Sequence, residues 1–162
     1  MNMNYFLVMD MLVNNPTWLS GLIDGEGSFQ VGVNKRVSSA GREYYVVNTT
    51  FYLGLHTMDH YVLEAVRDYL HCGYIYQKGP AFCSFEIKAK GDLSSYLFPH
   101  LDKYPLCGSK RLDYLDFRNV ADMVSKKQHL TPEGLEEIRV IKAGMNNARR
   151  KNFMSCVQKG LI

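Results

Sequence analysis

From Asn15 to Val37 the chain reads as a short apolar helix, a Gly-Glu-Gly break and an alternating strand, and this succession constrains the fold more than any other feature. Asn15 before Pro16 is a helix start, because Asn can cap free N–H groups and Pro fits the first helical position. The helix is expected from Thr17 to about Asp24, where Gly25-Glu26-Gly27 ends it. In Ser28–Val37, Phe29, Val31 and Val33 fall on one face, and Ser28, Gln30, Gly32, Asn34 and Arg36 on the other. That period of two predicts a half-buried strand. After a turn-like Ser38–Gly41, Tyr44–Leu53 alternates again, with Val47, Thr49, Phe51 and Leu53 inward and Val46, Asn48, Thr50 and Tyr52 outward.

The remaining elements follow from capping signals and periodicity. Thr57 is expected to cap a helix whose buried stripe is Val62, Ala65, Val66, Tyr69 and Leu70, ending at Gly73. Tyr74–Lys78 and Ala81–Ile87 read as a hairpin around Gly79-Pro80. A short helix follows Asp92, another begins near Ser109, and Thr131-Pro132-Glu133 announces a last one through Ile138 and Ile141. No β-helix-β spacing demands a parallel sheet, so the class is α+β with an antiparallel sheet. The domain is expected over residues 16–147, with an N-terminal extension at 1–15 and a loosely held tail at 148–162.

Composition narrows the function classes. The 162 residues suffice for one hydrophobic core, and 46% hydrophobic with 22% charged residues is ordinary for a folded protein. From His100 onward there are 12 Lys/Arg against 7 Asp/Glu, whereas the part up to Pro99 has 7 against 9. This asymmetry favours a polyanionic partner. Cys72, Cys83, Cys107 and Cys156 form no C-x-x-C pair, so structural zinc is not expected and the thiols are read as free. There is no apolar run long enough for a membrane span. Tyr5–Val13 imitates a signal core but contains Asp10 and lacks a basic flank, so secretion is not expected.

The segment Leu19-Ser20-Gly21-Leu22-Ile23-Asp24-Gly25-Glu26-Gly27 resembles the signature of the LAGLIDADG homing endonucleases. Six of its nine positions are identical, and Ser20, Gly25 and Glu26 replace Ala, Ala and Asp with residues of similar size or charge. Later segments, Lys103–Leu106 with Lys110–Tyr114 and Leu130–Ile138 with Ile141–Asn146, also look like that family, so the resemblance covers roughly residues 16–147. It implies an αββαββα fold with a saddle-shaped antiparallel sheet that binds DNA, followed by extra C-terminal helices.

The resemblance also implies roles. Ser20, Gly21 and Asp24 lie on neighbouring turns of one helix face, where small residues let a second helix approach closely, and Asp24 is expected to be structural, holding the turn or that helix interface. With one motif in the chain, the expected partner is a second copy, giving a two-fold homodimer. Glu26 and the Gly25 carbonyl are the expected metal ligands, a hard-oxygen pair suited to Mg²⁺, with Mn²⁺ an alternative. Glu26 and Lys110 are the expected catalytic residues, with Lys103 the second choice for the lysine. His56 stands where the family's usual Gln would begin the second helix. The outward positions Gln30, Asn34, Arg36, Asn48, Thr50, Tyr52, Tyr74, Tyr76 and Lys78 are the candidate DNA contacts, since Gln, Asn and Arg on a sheet can read base edges in a major groove. The implied activity is a double-strand break in a long, roughly palindromic double-stranded DNA target by metal-dependent phosphodiester hydrolysis. Two alternatives stay open: an RNA maturase binding its own intron RNA, and a non-catalytic DNA-binding regulator on the same scaffold. The resemblance further implies an intron-encoded protein of an organelle, the mitochondrion above all.

Overall fold

The computed structural model describes residues 3–159. Residues 1–2 and 160–162, the outer ends of the expected extension and tail, lie outside the described residues. The elements run α1 (Met3–Asn14), α2 (Thr17–Glu26), β1 (Gly27–Val37), β2 (Glu43–His56), α3 (His60–Leu70), β3 (Tyr74–Gln77), β4 (Phe82–Ile87), α4 (Lys90–Asp92), α5 (Phe98–Lys103), α6 (Lys110–Ser125), α7 (Pro132–Gly144) and α8 (Asn147–Gln158). A π-helical turn, Leu93–Leu97, joins α4 to α5. The strands hydrogen bond in the order β1-β2-β4-β3, with β4 antiparallel to both β2 and β3. The α+β class with an antiparallel sheet is therefore the observed one.

The chain divides into two compact units. The first contains the described residues up to Gln30 together with Thr50–Arg111. Its core centres on three rings: Phe29 and Phe51 with centroids 5.4 Å apart, and Phe51 and Phe85 at 6.3 Å, in the spacing that aromatic pairs favour. All three are fully buried, as are Leu19, Ile23, Leu53, Leu63 and Ile87. On α3, Val62, Leu63, Ala65, Val66 and Leu70 are buried, nearly the stripe expected from periodicity, and the helix packs on β3 and β4. His56, rather than Thr57, supplies the cap before α3: its Nδ1 accepts the Met58 N–H at 3.2 Å and opens a 3₁₀ turn.

The expected N-terminal extension contains a packed helix. α1 lies against α3 and α2, burying Val8 and Leu12, and the Tyr5 hydroxyl donates to Asp68 on α3 at 2.7 Å. The apolar run Tyr5–Val13 is thus half core: Phe6, Leu7 and Val13 stay exposed while Val8 and Leu12 face inward. The start of α2 also differs in detail. The Asn15 side-chain oxygen accepts from the Thr17 hydroxyl instead of capping a backbone N–H, and Pro16 already has helical dihedrals.

The second unit contains Val31–Thr49 and the described residues from Leu112 onward. Its helix α6 buries Asp113, Tyr114, Phe117, Val120, Met123 and Val124, and α7 buries Leu135 and Ile138. The expected cap on α7 is present: the Thr131 hydroxyl accepts the Gly134 N–H at 3.1 Å, with Pro132 in the first turn. The expected loose tail is helical. Arg149 on α8 donates to Asp113 at 2.9 Å and also to Asp116, and Asp113 further accepts the Asn146 N–H at 2.9 Å. Sequence patterning misses α8 because no side chain on it is buried. Its hold on the unit is polar.

The strands alternate as expected where the core lies beneath them. Phe29, Val31, Val47, Thr49, Phe51 and Leu53 are buried, while Gln30, Asn34, Arg36 and Asn48 are exposed. Beyond Val33 the alternation of β1 ends, and Lys35, Arg36 and Val37 are all exposed. The four cysteines are free, and burial pushes the Cys72 thiol up to about 11. Among the described residues no helix is long and apolar enough to cross a membrane.

Two predictions test this packing. Phe51→Ala removes the middle ring and should cost about 3–5 kcal/mol in urea unfolding, against less than about 0.5 kcal/mol for an exposed control such as Gln158→Ala. The second concerns His100, which is buried, lies between the rings of Tyr69 and Tyr104, and has no hydrogen-bond partner at Nε2. Desolvation lowers its pKa from 6.5 to about 4. The unfolded chain therefore binds this proton first as pH falls. The stability from a neutral His100 is fully present above pH 6.5, is lost on the way down to about pH 4, and changes no further below that. Denaturation midpoints between pH 7 and 4 should decline in the wild type and flatten in His100→Phe.

Candidate functional site

The end of α2 is the most constrained point of the first unit. Helix passes into strand without a linker: Gly27 caps α2, its N–H bonded to the Ile23 carbonyl, and it is also the first residue of β1. A Cβ on Gly27 would sit 2.7 Å from the Ile23 carbonyl oxygen, so no other residue fits this joint without a shift. Glu26, one residue earlier, is exposed at the helix terminus. Its backbone is held between the helix on one side and the strand on the other.

Two sets of hydrogen bonds brace the joint. The Asp24 carboxylate accepts the Cys107 N–H at 2.8 Å and the Gly108 N–H at 3.1 Å. A Cβ on Gly108 would lie 3.0 Å from the same carboxylate, so glycine permits the approach. In the opposite sense, the Lys110 ammonium donates to the carbonyls of Ile23 and Gly25, each at 3.2 Å. Both accepting carbonyls lie at the C-terminal end of α2, where the helix dipole concentrates partial negative charge, and the Ile23 carbonyl takes Lys110 in addition to the Gly27 N–H. Asp24 and Lys110 thus link the same two segments reciprocally, acid to amides and ammonium to carbonyls.

The structure sets the Lys110 ammonium on the carbonyl of Gly25, the neighbour of Glu26 in the chain. It separates the two candidate lysines: Lys110 reaches the Gly25 carbonyl, whereas Lys103 lies 5.3 Å over the Tyr104 ring. His56 is engaged as a cap by its Nδ1. The three residues expected on one interface point differently. The Ser20 hydroxyl is buried and donates to the Tyr104 carbonyl at 2.6 Å, and Asp24 is turned to Cys107 and Gly108. Gly21 and Gly25, one helical turn apart, are exposed, with nothing within 4 Å of where a Cβ would stand. The open side of α2 is therefore the Gly21–Gly25 side, and Ser20 and Asp24 serve their own chain.

For a divalent cation the donors present are hard oxygens, the Glu26 carboxylate and the Gly25 carbonyl, which fits Mg²⁺ or Mn²⁺. Among the described residues no group of three or more His, Cys, Asp or Glu could hold a metal ion. A cation with few protein ligands suits Mg²⁺, which retains water and takes further oxygens from substrate phosphates.

The candidate contact residues divide between the units. In the second unit, Asn34, Arg36 and Asn48 are exposed, and Asn34 and Asn48 flank Gly32. Lys35 is paired with Glu43 at 2.7 Å. In the first unit, Gln30, Tyr74, Tyr76 and Lys78 are exposed and Thr50 and Tyr52 half-buried. The register adds residues that sequence reasoning passed over. Tyr52 and Tyr74 both lie opposite Glu86, and Tyr76 lies opposite Ser84, so β4 contributes Ser84 and Glu86 to the same face. Glu86 takes Lys78 at 2.8 Å and Lys88 at 2.7 Å. Burial pushes the Glu86 carboxyl up, the two lysines outweigh it, and the net shift is downward. The alternation of Ser84, Glu86 and Lys88 with Cys83, Phe85 and Ile87 was the available signal.

The model of the LAGLIDADG endonuclease family matches residues 19–121. The chain belongs to the LAGLIDADG endonuclease family. It is 37% identical over 134 residues to a Neurospora crassa protein named probable intron-encoded endonuclease 3, covering 82% of this chain and 25% of that protein. The structure of the I-SmaMI LAGLIDADG homing endonuclease bound to cleaved DNA superposes with a TM-score of 0.77 at 34% identity, over 85% of this chain and 46% of that one. The I-LtrWI LAGLIDADG homing endonuclease bound to target DNA gives a TM-score of 0.75 at 34% identity, over 81% and 44%. This LAGLIDADG chain thus spans about a quarter of the length of that curated relative and under half of each solved structure.

The brace at the motif gives a direct expectation. Asp24→Ala removes the oxygen, Oδ2, that accepts both amide hydrogen bonds. It should cost about 1–3 kcal/mol and speed hydrogen exchange at the Cys107 and Gly108 amides relative to those of α3.

Proposed function

We propose that this protein is a site-specific DNA endonuclease that hydrolyses phosphodiesters with Mg²⁺ or Mn²⁺ and acts as a homodimer on a roughly palindromic target. The observation that carries the reading is the Lys110 ammonium seated on the Gly25 carbonyl, next to the exposed Glu26 that ends the motif helix. The cation, held by Glu26 and the Gly25 carbonyl, supplies Lewis-acid stabilisation of phosphate oxygens. Lys110 provides a positive charge beside them, suited to the negative charge that develops as the phosphodiester is attacked. Its anchoring to two carbonyls restrains it before substrate arrives, so little reorganisation accompanies the reaction.

The open stripe of Gly21 and Gly25 supports close approach of a second motif helix. A two-fold through that contact would bring two copies of Glu26 near one another, and with them the two strand cuts. Gln30, Thr50, Tyr52, Tyr74, Tyr76 and Lys78 in one unit, and Asn34, Arg36 and Asn48 in the other, are the proposed groove contacts. The DNA-bound neighbours support DNA as the partner. The intron-encoded name of the fungal relative supports the same origin here and, with it, a mitochondrial location.

The test is cleavage of a library of randomised duplexes, with recovery of the sequence that is cut. The wild type should make specific double-strand breaks that EDTA abolishes and Mg²⁺ restores. Glu26→Gln should bind the recovered target while cutting it at least about a hundredfold more slowly, and Lys110→Met should lose about the same factor. Specific binding without cleavage in any divalent metal would instead support a DNA-binding regulator, and tight binding to intron RNA alone a maturase. Sedimentation of the protein on its target as a single copy would overturn the homodimer.

A further inference from the structure

Glu86 is an anomaly on a face proposed to meet a polyanion. It lies near the end of β4, an inner strand of the sheet, opposite Tyr52 and Tyr74, and its side chain is only 6% exposed. The carboxylate Oε1 accepts from Lys78 at 2.8 Å and from the Ser84 hydroxyl at 3.2 Å, while Oε2 takes Lys88 at 2.7 Å. Each lysine is also stacked on a ring: Lys78 lies 4.8 Å from the Tyr52 centroid, and Lys88 4.8 Å from that of Tyr76. Both lysine side chains remain half exposed, at 50% and 57%. One covered acid therefore holds two solvent-facing cations by their tips, and two tyrosines hold them from the side.

A buried ion pair is weak evidence for stability, because desolvation offsets the attraction. Its effect on the lysines is clearer. A free lysine is a mobile point charge that follows phosphates without regard to sequence. A lysine fixed by a carboxylate has an ammonium with donors left over in a defined direction. Such donors match the O6 and N7 acceptors of guanine in the major groove. The shared carboxylate also reduces the local charge available to phosphates.

The geometry points to Glu86 as a positioning residue that fixes Lys78 and Lys88 as directed donors for the acceptor edge of guanine, so that this part of the sheet discriminates between sequences instead of adding general affinity. The inference rests on the DNA reading proposed above.

The experiment compares the wild type and Glu86→Gln on the recovered target and on a scrambled duplex across a salt series. In Glu86→Gln the lysines are released to phosphates. Affinity for the scrambled duplex should rise about tenfold at low salt, the salt slope should steepen by about 0.9 for each lysine released, and the target-to-scrambled ratio should fall about tenfold. An unchanged slope and ratio in a folded Glu86→Gln overturns the inference while leaving the DNA reading intact. A wild type that binds neither duplex removes the DNA reading itself. A second measurement uses the wild type alone. Ammonium NMR should find Lys78 and Lys88 restricted relative to the exposed Lys151, and equal mobility of all three would overturn the inference even if Glu86→Gln does not fold.

Discussion

Lys110 and Asp24 work against each other's segments: the ammonium holds the carbonyls of Ile23 and Gly25, and the carboxylate holds the amides of Cys107 and Gly108. Each group meets backbone partners of opposite polarity, so neither segment can slide without breaking both sets of bonds. The motif acid Glu26 projects from this braced point. A helix end normally exposes carbonyls to water. Here the partial negative charge of those carbonyls attracts the Lys110 ammonium, so that the end of the helix and the segment around Lys110 are tied at one point.

The architecture was largely legible in the sequence because burial and periodicity coincide over the central elements. Phe29, Val31, Val47, Phe51 and Leu53 are core, and the stripe on α3 is the buried one. The reading falters where the binding is polar. α8 is held by Arg149 on Asp113 and Asp116, an arrangement with no hydrophobic period to detect. α1 escapes for another reason: its buried and exposed apolar residues are intermixed, so the segment carries little amphipathic contrast.

The candidate site divides in the same way. Gly25, Glu26 and Lys110 were expected from the motif and the late basic segment, and the structure sets the Lys110 ammonium on the Gly25 carbonyl, beside Glu26 in the chain. Ser20 was read as facing a partner, and Asp24 as holding either the turn or that interface, because they lie on one side of a helix. Their actual partners, Tyr104, Cys107 and Gly108, lie far along the chain and cannot be inferred from helical spacing. Glu86 was missed because an acid on a strand suggests solvent exposure, and only the register sets it between Lys78 and Lys88.

The direct passage from α2 into β1 at Gly27 has a consequence for how this sequence can vary. A loop absorbs an added or lost residue. A helix-to-strand joint with no loop cannot, because strand side chains alternate strictly between faces. One extra residue after Glu26 would turn Phe29 out of the core and Gln30 into it. The segment is therefore open to exchange of side chains on its outer face but closed to the gain or loss of a single residue.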